Sequence, residues 1–416
     1  MSNVEKTAIG LLPTNWEVRR IKDVCDTTSG GTPSRSKAEY YDLGTIPWIK
    51  TGELKHKYIF ETKEKITEVA LQQSSAKLVP KNSVLMAMYG ATIGKTSINK
   101  IEATTNQACC AMIPKGKLEP EFLYYVLSSN KDKIVALGAG GAQPNISQQI
   151  IREIEIPFPP QEEQQKIVSI LTSVDETIGK TETIIKQTEK VKKGLMQQLF
   201  TKGIGHTRFK KTDIGEIPEE WEVVALGDIA EFINGRGFKP HEWSDSGLPI
   251  IRIQNLNGGQ EFNYYEGEFN PKILIEPDTL LFAWSGSRGT SFGPHIWKGE
   301  TGVLNYHTWK VVSNKKVIKE FLYYSLRYIT TKIENDSHGA SALVHMQKSA
   351  MENYKIALPN LVEQEKLAAV LLTLDSKLVN ENSKLDQLQF LKKGLMQSLL
   401  TGKICVKVDK AEVIQA

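Results

Sequence analysis

A ten-residue segment occurs twice in this chain, each time at the end of a long stretch without proline. The copies are residues 192–201 (KKGLMQQLFT) and 392–401 (KKGLMQSLLT), which share eight of ten positions. Both stretches carry apolar residues at heptad spacing, and this spacing predicts two long coiled-coil helices. We expect helix–helix or subunit contacts at Leu171, Ile178, Ile185, Gly194, Leu195, Leu371, Leu378, Leu385, Gly394 and Leu395.

Gly194 and Gly394 lie inside this helical spacing, where glycine costs about 1 kcal/mol relative to alanine. One interpretation is that the helix frays before the glycine. The other is a close approach of backbones, either where the two helices cross or where another subunit docks. Because the glycine recurs at the same place in both copies, we favour the close approach.

Other segments repeat at a similar spacing. Residues 9–18 and 214–223 share the pattern Ile-Gly-x-x-Pro-x-x-Trp-Glu-Val, and residues 121–125 and 320–324 both read EFLYY. Repeats of this length indicate duplicated domains and not solenoid units. The sequence predicts a first globular domain at 1–157, a central helix at 158–205, a second globular domain at 206–357, and a C-terminal helix with a tail at 358–416.

The globular domains mix short strand-like runs with turn residues. Predicted strands lie at 45–50, 83–89, 248–253 and 279–284, and predicted helices at 121–133 and 320–333. The fold class that follows is α+β: two sheet-containing domains separated by two long helices, with a pseudo-twofold internal repeat. We expect the helices to pair as an antiparallel coiled coil, because parallel pairing would require the second domain to span a whole helix.

Catalytic and cofactor motifs are missing from the sequence. Residues 90–96 resemble a phosphate-binding loop, but three residues separate the glycines where that motif needs four. The four cysteines have neither disulfide nor zinc spacing, and the seven histidines include no His-x-x-x-His pair. The sequence predicts no catalytic residue, no cofactor and no metal, and the cysteines are expected to be reduced.

Charge and hydropathy restrict the partners. A net charge of +4 permits a polyanionic partner without requiring one. No apolar run approaches the ~18 residues of a membrane span, and the N-terminal residues lack the layout of a signal peptide. We therefore expect a cytoplasmic protein without membrane contacts.

The helices and their flanks agree closely between the two copies, whereas residues 19–118 and 224–317 share only isolated positions. These diverged regions carry basic, amide and aromatic residues at loop positions, which suit the edges of guanine and adenine. Ordinary solvated loops are the alternative for any single residue. We expect contacts with double-stranded DNA at Lys50, Thr51, Tyr89, Thr92, Lys95, Asn106, Gln143 and Asn145 in the first domain, and at the Gly235-Arg236 pair, Arg252, Gln254, Asn255, Trp284, Ser287, Arg288, Asn305, His307 and His338 in the second.

The doubled Lys-Lys-Gly-Leu-Met-Gln helix ends, the Ile-Gly-x-x-Pro-x-x-Trp-Glu-Val segments and the Ile-Pro-x-Pro-Pro-x-x-Glu-Gln helix start resemble the specificity subunit of type I restriction–modification enzymes. The resemblance covers essentially the whole chain. It implies a non-catalytic subunit whose two target-recognition domains each read one half of a bipartite, asymmetric DNA site. It also implies that the helices space the domains and bind two adenine-methyltransferase subunits, through which translocating restriction subunits join.

Two other classes of protein remain as alternatives. A coiled-coil structural adaptor without a DNA-reading role would not explain why the domains diverged while the helices did not. A stand-alone restriction enzyme would need catalytic motifs that the sequence lacks.

Overall fold

The computed structural model describes residues 4–138, 145–336 and 343–407. The chain divides into two compact units, and both divisions fall inside the long helices. Unit 1 is Met1–Glu182 with Lys384–Ala416, and unit 2 is Thr183–Ser383. Each unit therefore contains one globular domain, the start of one long helix and the end of the other.

In its described residues, the first globular domain contains thirteen strands and five short α-helices, and a long helix follows it. The strands are β1 (Val4–Thr7), β2 (Gly10–Pro13), β3 (Glu17–Arg20), β4 (Cys25–Ser29), β5 (Ile46–Ile49), β6 (Tyr58–Ile59), β7 (Glu64–Ile66), β8 (Leu78–Val79), β9 (Val84–Ala87), β10 (Thr96–Asn99), β11 (Ala103–Thr105), β12 (Cys109–Pro114) and β13 (Glu155–Phe158). The helices are α1 (Ile21–Val24), α2 (Glu68–Gln73), α3 (Pro120–Ser129), α4 (Lys131–Leu137), α5 (Gln148–Glu153) and the long α6 (Gln161–Lys202).

The second globular domain repeats most of this order of elements. Its strands are β14 (Phe209–Thr212), β15 (Gly215–Pro218), β16 (Glu222–Ala225), β17 (Ala230–Asn234), β18 (Leu248–Ile251), β19 (Tyr264–Tyr265), β20 (Leu274–Ile275), β21 (Leu280–Ala283), β22 (Ser285–Ser287), β23 (Gly293–Ile296), β24 (Gly302–Leu304), β25 (Thr308–Ser313), β26 (Leu343–His345) and β27 (Lys355–Leu358). Its helices are α7 (Ile253–Leu256), α8 (Lys319–Asp336), α9 (Lys348–Glu352) and the long α10 (Leu361–Leu399).

Two sheets form the centre of unit 1, with strand orders β4-β12-β9-β10-β6 and β7-β5-β11-β8. Strand β9 is buried on both faces. Val84 and Met86 share a core with Phe122 of α3, whereas Leu85 and Ala87 pack with residues of the second sheet. Burial on both faces explains why β9 is an uninterrupted apolar run in the sequence.

Unit 2 has the same construction. Its two larger sheets have the orders β17-β25-β21-β23 and β19-β18-β24-β20. Leu280 and Phe282 of β21 pack with Phe321 of α8, and Leu281 packs with Ile250 of the second sheet. The fold is therefore repeated in regions where the two sequences share only isolated residues.

The long helices pair antiparallel. In unit 1, Ile167 and Leu171 of α6 share a core with Leu399, the last residue of α10, and with Leu400 after it. In unit 2, Leu371 of α10 shares a core with the end of α6 at 199–200. The start of each helix thus meets the end of the other. The remaining predicted contact residues of the heptads are buried at Ile185 and half-buried at Ile178, Leu195, Leu378, Leu385 and Leu395.

The two repeated glycines do not mark a crossing of the helices. A Cβ atom added at Gly194 or at Gly394 would meet no atom within 4 Å. Both positions are exposed, so neither fraying nor helix crossing accounts for them. Of the interpretations that the sequence left open, the docking of another subunit remains.

The repeated Trp-Glu-Val and Glu-Gln motifs contact each other. The indole nitrogen of Trp16 donates to Glu163 Oε2 at 2.9 Å, and Trp221 donates to Glu363 Oε2 at 2.9 Å. In unit 1, β3 then pairs antiparallel with β13, and in unit 2, β16 pairs with β27. The chain therefore enters and leaves each domain through two paired strands beside the start of a long helix.

A shared aspartate ties the domain of unit 1 to both long helices. Tyr125 of α3 donates its hydroxyl hydrogen to Asp175 Oδ2 of α6 at 2.6 Å. Lys392 of α10 lies 2.6 Å from the other carboxylate oxygen. Burial, together with this hydrogen bond, raises the pKa of Tyr125, so the hydroxyl stays protonated and remains a donor.

Unit 2 contains the same arrangement at matched positions. Tyr324 of α8 donates to Asp375 Oδ2 of α10 at 2.6 Å, and Lys192 of α6 forms an ion pair with Asp375. The two sets of contacts use the same residue types in the same order, so the helix register is set in the same way in each unit.

Replacement of Asp175 by alanine should remove the partner of both Tyr125 and Lys392. We expect Asp175→Ala to lower the free energy of unfolding by about 1–3 kcal/mol, since a part-buried hydroxyl loses its acceptor. Urea denaturation would measure the loss, and Asp375→Ala should cause a similar one.

Exposed Asp386, which forms no ion pair among the described residues, offers the control Asp386→Ala with a change near zero. In a Tyr125→Phe background, Asp175→Ala should cost less than in the native chain. Equal losses in the two backgrounds would contradict a coupled contact.

Candidate DNA-reading surfaces

Strand ends bring several of the predicted residues of unit 1 together. The amide of Asn106 donates to the carbonyl of Ile49, at the end of β5, at 3.0 Å. The amide of Gly31 donates to the carbonyl of Thr105 at 2.9 Å. Because Lys50 follows Ile49, the residues Gly31, Asn106 and Lys50 leave neighbouring strands at one end of the domain.

The glycine loop after β9 joins the same end. Met88 donates its amide hydrogen to the carbonyl of Ala108 at 2.8 Å and accepts one from Ile146 at 2.8 Å. Tyr89 also forms an isolated bridge with Asn145. We call this part of unit 1 loop end 1. It consists of residues 30–31, 50–51, 89–95, 106–107 and 145.

Unit 2 has a matching surface. The amide of Asn305 donates to Ile251 O at 3.0 Å, and that of Arg236 donates to Leu304 O at 2.9 Å. Strand β22, in the glycine loop after β21, pairs with β26, with Ser285 opposite His345. We call this surface loop end 2. It consists of residues 235–236, 252–255, 284–290, 305–307 and 345.

Two glycines allow these strands to meet. A Cβ atom at Gly30 would lie 1.8 Å from the carbonyl oxygen of Thr105, and one at Gly235 would lie 2.0 Å from that of Asn305. No side chain fits at either position. Gly235 is therefore needed for the packing of loop end 2. The positively charged residue of the predicted Gly235-Arg236 pair is Arg236.

The predicted DNA contact Lys50 has an acidic partner within unit 1. Its ammonium group forms an ion pair with Glu64, which also pairs with Arg35. The hydrogen bond from Lys50 holds the pKa of the Glu64 carboxyl below its usual range. Thr51, the next residue, is half-buried.

Arg236 and Arg252 of loop end 2 differ in their surroundings. Arg236 forms an ion pair with Glu242 and lies over the rings of Phe238 and Tyr265. Arg252 lies over the ring of Trp243, 4.7 Å from its centroid. Among the described residues, no acidic side chain forms an ion pair with Arg252.

Asn255 supports the backbone. Its side chain is buried, accepts from the amide of Arg252 at 3.0 Å, and donates to the carbonyls of Gly259 and Glu261. With these bonds made, its role is to shape the turn beneath Arg252. The contact of Asn255 with DNA stays a prediction, and its neighbour Gln254 is exposed.

The glycine loops carry the more accessible side chains. In loop end 1, Lys95 is exposed and makes no ion pair within the described ranges, while Thr92 is half-buried. In loop end 2, Ser287 and Arg288 are exposed, and the amide of Gly289 donates to Glu334 at 2.7 Å.

Loop end 2 also contains an aromatic cluster. The ring centroids of Trp284 and His307 lie 5.2 Å apart, and that of His345 lies 4.9 Å from Trp284. Burial, and then the nearby His345, lower the pKa of His307. The sequence prediction missed His345, although it lies 200 positions after the predicted Asn145. Two other predicted residues, Gln143 and His338, lie outside the described residues.

Other kinds of site find no support in the described part of the chain. No group of three histidine, cysteine or acidic side chains is placed to hold a metal ion. Along the same ranges, no helix has the length and apolarity needed to cross a bilayer. Cys25, Cys109 and Cys110 are buried and Cys405 is exposed, and none of these four cysteines forms a disulfide.

Comparison with known proteins gives the family. A family model for the type I restriction modification DNA specificity domain matches residues 13–190 and 218–389. A putative type I restriction enzyme MjaX specificity subunit from Methanocaldococcus jannaschii is 32% identical, over 97% of this chain and 97% of the relative. The MjaVIII specificity subunit from the same organism is 29% identical, over 95% and 94%. The chain therefore belongs to the type I restriction–modification DNA specificity family.

Solved structures show the same fold. The S subunit of a type I restriction-modification system from M. genitalium has a TM-score of 0.57 at 20% identity, over 93% of this chain and 96% of that one. A chain from a structure that concerns complex assembly and conformational transition of the type I R-M system has a TM-score of 0.60 at 17% identity, over 94% and 99%.

A side chain at Gly30 should disrupt loop end 1. We expect Gly30→Ala to lower the free energy of unfolding by at least about 1–3 kcal/mol, because its Cβ would overlap the carbonyl of Thr105. Thermal denaturation would measure this.

The control is Gly52→Ala in the same unit, where an added Cβ meets no atom within 4 Å, so the change should be below about 0.5 kcal/mol. Similar effects of the two substitutions would show that the strand ends are not packed as described.

Proposed function

We propose that residues 1–157 and 206–357 are two target-recognition domains, and that each reads one half of a bipartite, asymmetric site in double-stranded DNA. The observation that carries the proposal is the construction of the two loop ends. In each unit, backbone hydrogen bonds gather segments from the diverged region at one end of the domain, while the strand order beneath them is the same apart from the additional strand β6 in unit 1. The side chains of such a surface can change while the strands beneath it keep their arrangement.

The long helices, at 158–205 and 358–416, are proposed to space the domains and to dock two methyltransferase subunits. Restriction and translocase subunits would join through the methyltransferases. Support comes from the exposed Gly194 and Gly394. Both copies of the helix end keep a residue that costs helix stability, and a Cβ added at either position would meet no atom of the described residues within 4 Å. In this proposal the chain is non-catalytic and acts in the cytoplasm.

Substitutions in one loop end should change one half-site only. We expect Thr92→Ala with Lys95→Ala to affect the first domain's half-site, and Ser287→Ala with Arg288→Ala to affect the other. A base-contacting residue costs about 1–3 kcal/mol at its own position, whereas a phosphate contact weakens all sequences alike.

The measurement is selection of bound duplexes from a randomised pool, using the full chain with its methyltransferase subunits. The native chain in the same pool is the control. If both double variants altered the same half-site, the proposal of two independent readers would be refuted.

Replacement of the repeated glycines should have opposite effects on the stability of the helix and on the binding of the methyltransferase subunit. We expect Gly194→Ala to stabilise the isolated chain by up to about 1 kcal/mol in urea denaturation, because the added Cβ meets nothing and alanine favours the helix. The same substitution should weaken methyltransferase binding, measured by calorimetry.

Gly179→Ala is the matched control. An added Cβ at Gly179 also meets nothing within 4 Å, and this glycine is not repeated in the second helix. It should stabilise α6 without weakening the complex. Unchanged methyltransferase affinity in both Gly194→Ala and Gly394→Ala would contradict docking at these glycines.

A further inference from the structure

The same backbone position carries a cation in each domain. Lys50 follows β5 in unit 1, and Arg252 follows β18 in unit 2. The amide of Lys50 donates to Glu53 Oε2 at 2.9 Å, and the amide of Arg252 donates to Asn255 Oδ1 at 3.0 Å. Each cation therefore leaves a capped turn at the end of a buried strand, which fixes where its side chain begins.

The two cations have opposite electrostatic surroundings. Lys50 shares the carboxylate of Glu64 with Arg35, so its ammonium group already has an acidic partner that holds it in the domain. Arg252 has no acidic partner among the described residues. It is half-buried, and no neighbouring carboxylate competes for its donors.

Stacking orients the guanidinium of Arg252. The group lies 4.7 Å from the ring centroid of Trp243, whose side chain is 38% exposed. A guanidinium stacked on an aromatic ring keeps its plane while its N–H groups remain free to donate at the edge. A planar fork of this kind matches the O6 and N7 acceptors of guanine, which lie side by side in the major groove.

The contacts of Asn305, which follows strand β24, distinguish Arg252 from Arg236. Asn305 lies between the two arginines, because it bonds to Ile251 on one side and forms a bridge with Arg236 on the other. Arg236 is held by Glu242. Of the two arginines that flank Asn305, Arg252 is thus the one whose charge is left for a ligand.

We infer that Arg252 reads a guanine in the half-site of the second domain, whereas Lys50, at the matched position of the first domain, reads no base. This inference rests on the proposed function. Trp243 acts as a positioning residue that holds the guanidinium in the plane of the base pair.

The test is selection from a randomised duplex pool with the full chain and its methyltransferase subunits. The native chain should select a bipartite site with a guanine in one half. Arg252→Ala should reduce the preference for that guanine about tenfold to a hundredfold and leave the other half-site unchanged. Arg252→Lys keeps the charge but loses the fork, so it should lose most of the preference and retain overall affinity.

Lys50→Ala is the matched control and should alter no base preference. The inference is overturned if Arg252→Ala weakens binding to all sequences equally, if the selected guanine persists in both Arg252 variants, or if Lys50→Ala relaxes a base. A native chain that selects no bipartite site would overturn the proposed function itself, and this result is distinct from the other three. Methyltransferase binding by each variant confirms that it is folded.

Discussion

One carboxylate in each unit joins the globular domain to both long helices. Asp175 of α6 accepts a hydrogen bond from Tyr125 of the domain and forms an ion pair with Lys392 of α10. Sliding either helix by a turn would leave a part-buried charge without its partner, which is a strongly unfavourable state. Asp375 makes the matching contacts in unit 2. Since these contacts involve no loop residue, the loop ends can change without disturbing the scaffold.

The heptad repeat was sufficient to predict the two long helices, because such a pattern extends over many turns. Their antiparallel pairing followed from the position of the second domain between them. The strand order was not predictable, since it depends on pairing between residues distant in the chain, such as β4 with β12. Both domains nevertheless share this order, except for the additional strand β6 in unit 1. A strand can keep its place in such a sheet if its side chains are apolar on the buried faces. Different apolar residues occupy these faces in β9 and in β21.

The sequence was sufficient to predict which loop segments form the candidate surfaces, but it was less informative about the role of each residue in them. Loop positions after strands did converge, because neighbouring strands end at the same edge. The roles of Lys50 and Asn255 depended on partners that no local pattern reveals. Glu64 reaches Lys50 from another strand, and the Asn255 amide is taken up by the carbonyls of its own turn. His345 could have been predicted from its place 200 positions after Asn145.

The most direct measurement uses a chimera in which both globular domains are copies of the first. Residues 206–357 would be replaced by a second copy of residues 1–157, and the full chain with its methyltransferase subunits would select sites from a randomised duplex pool. We predict that the selected sites contain the first domain's half-sequence twice and that the second domain's half-sequence disappears. Persistence of the second half-sequence, in a chimera that still binds methyltransferase, would contradict the account of one reader in each unit.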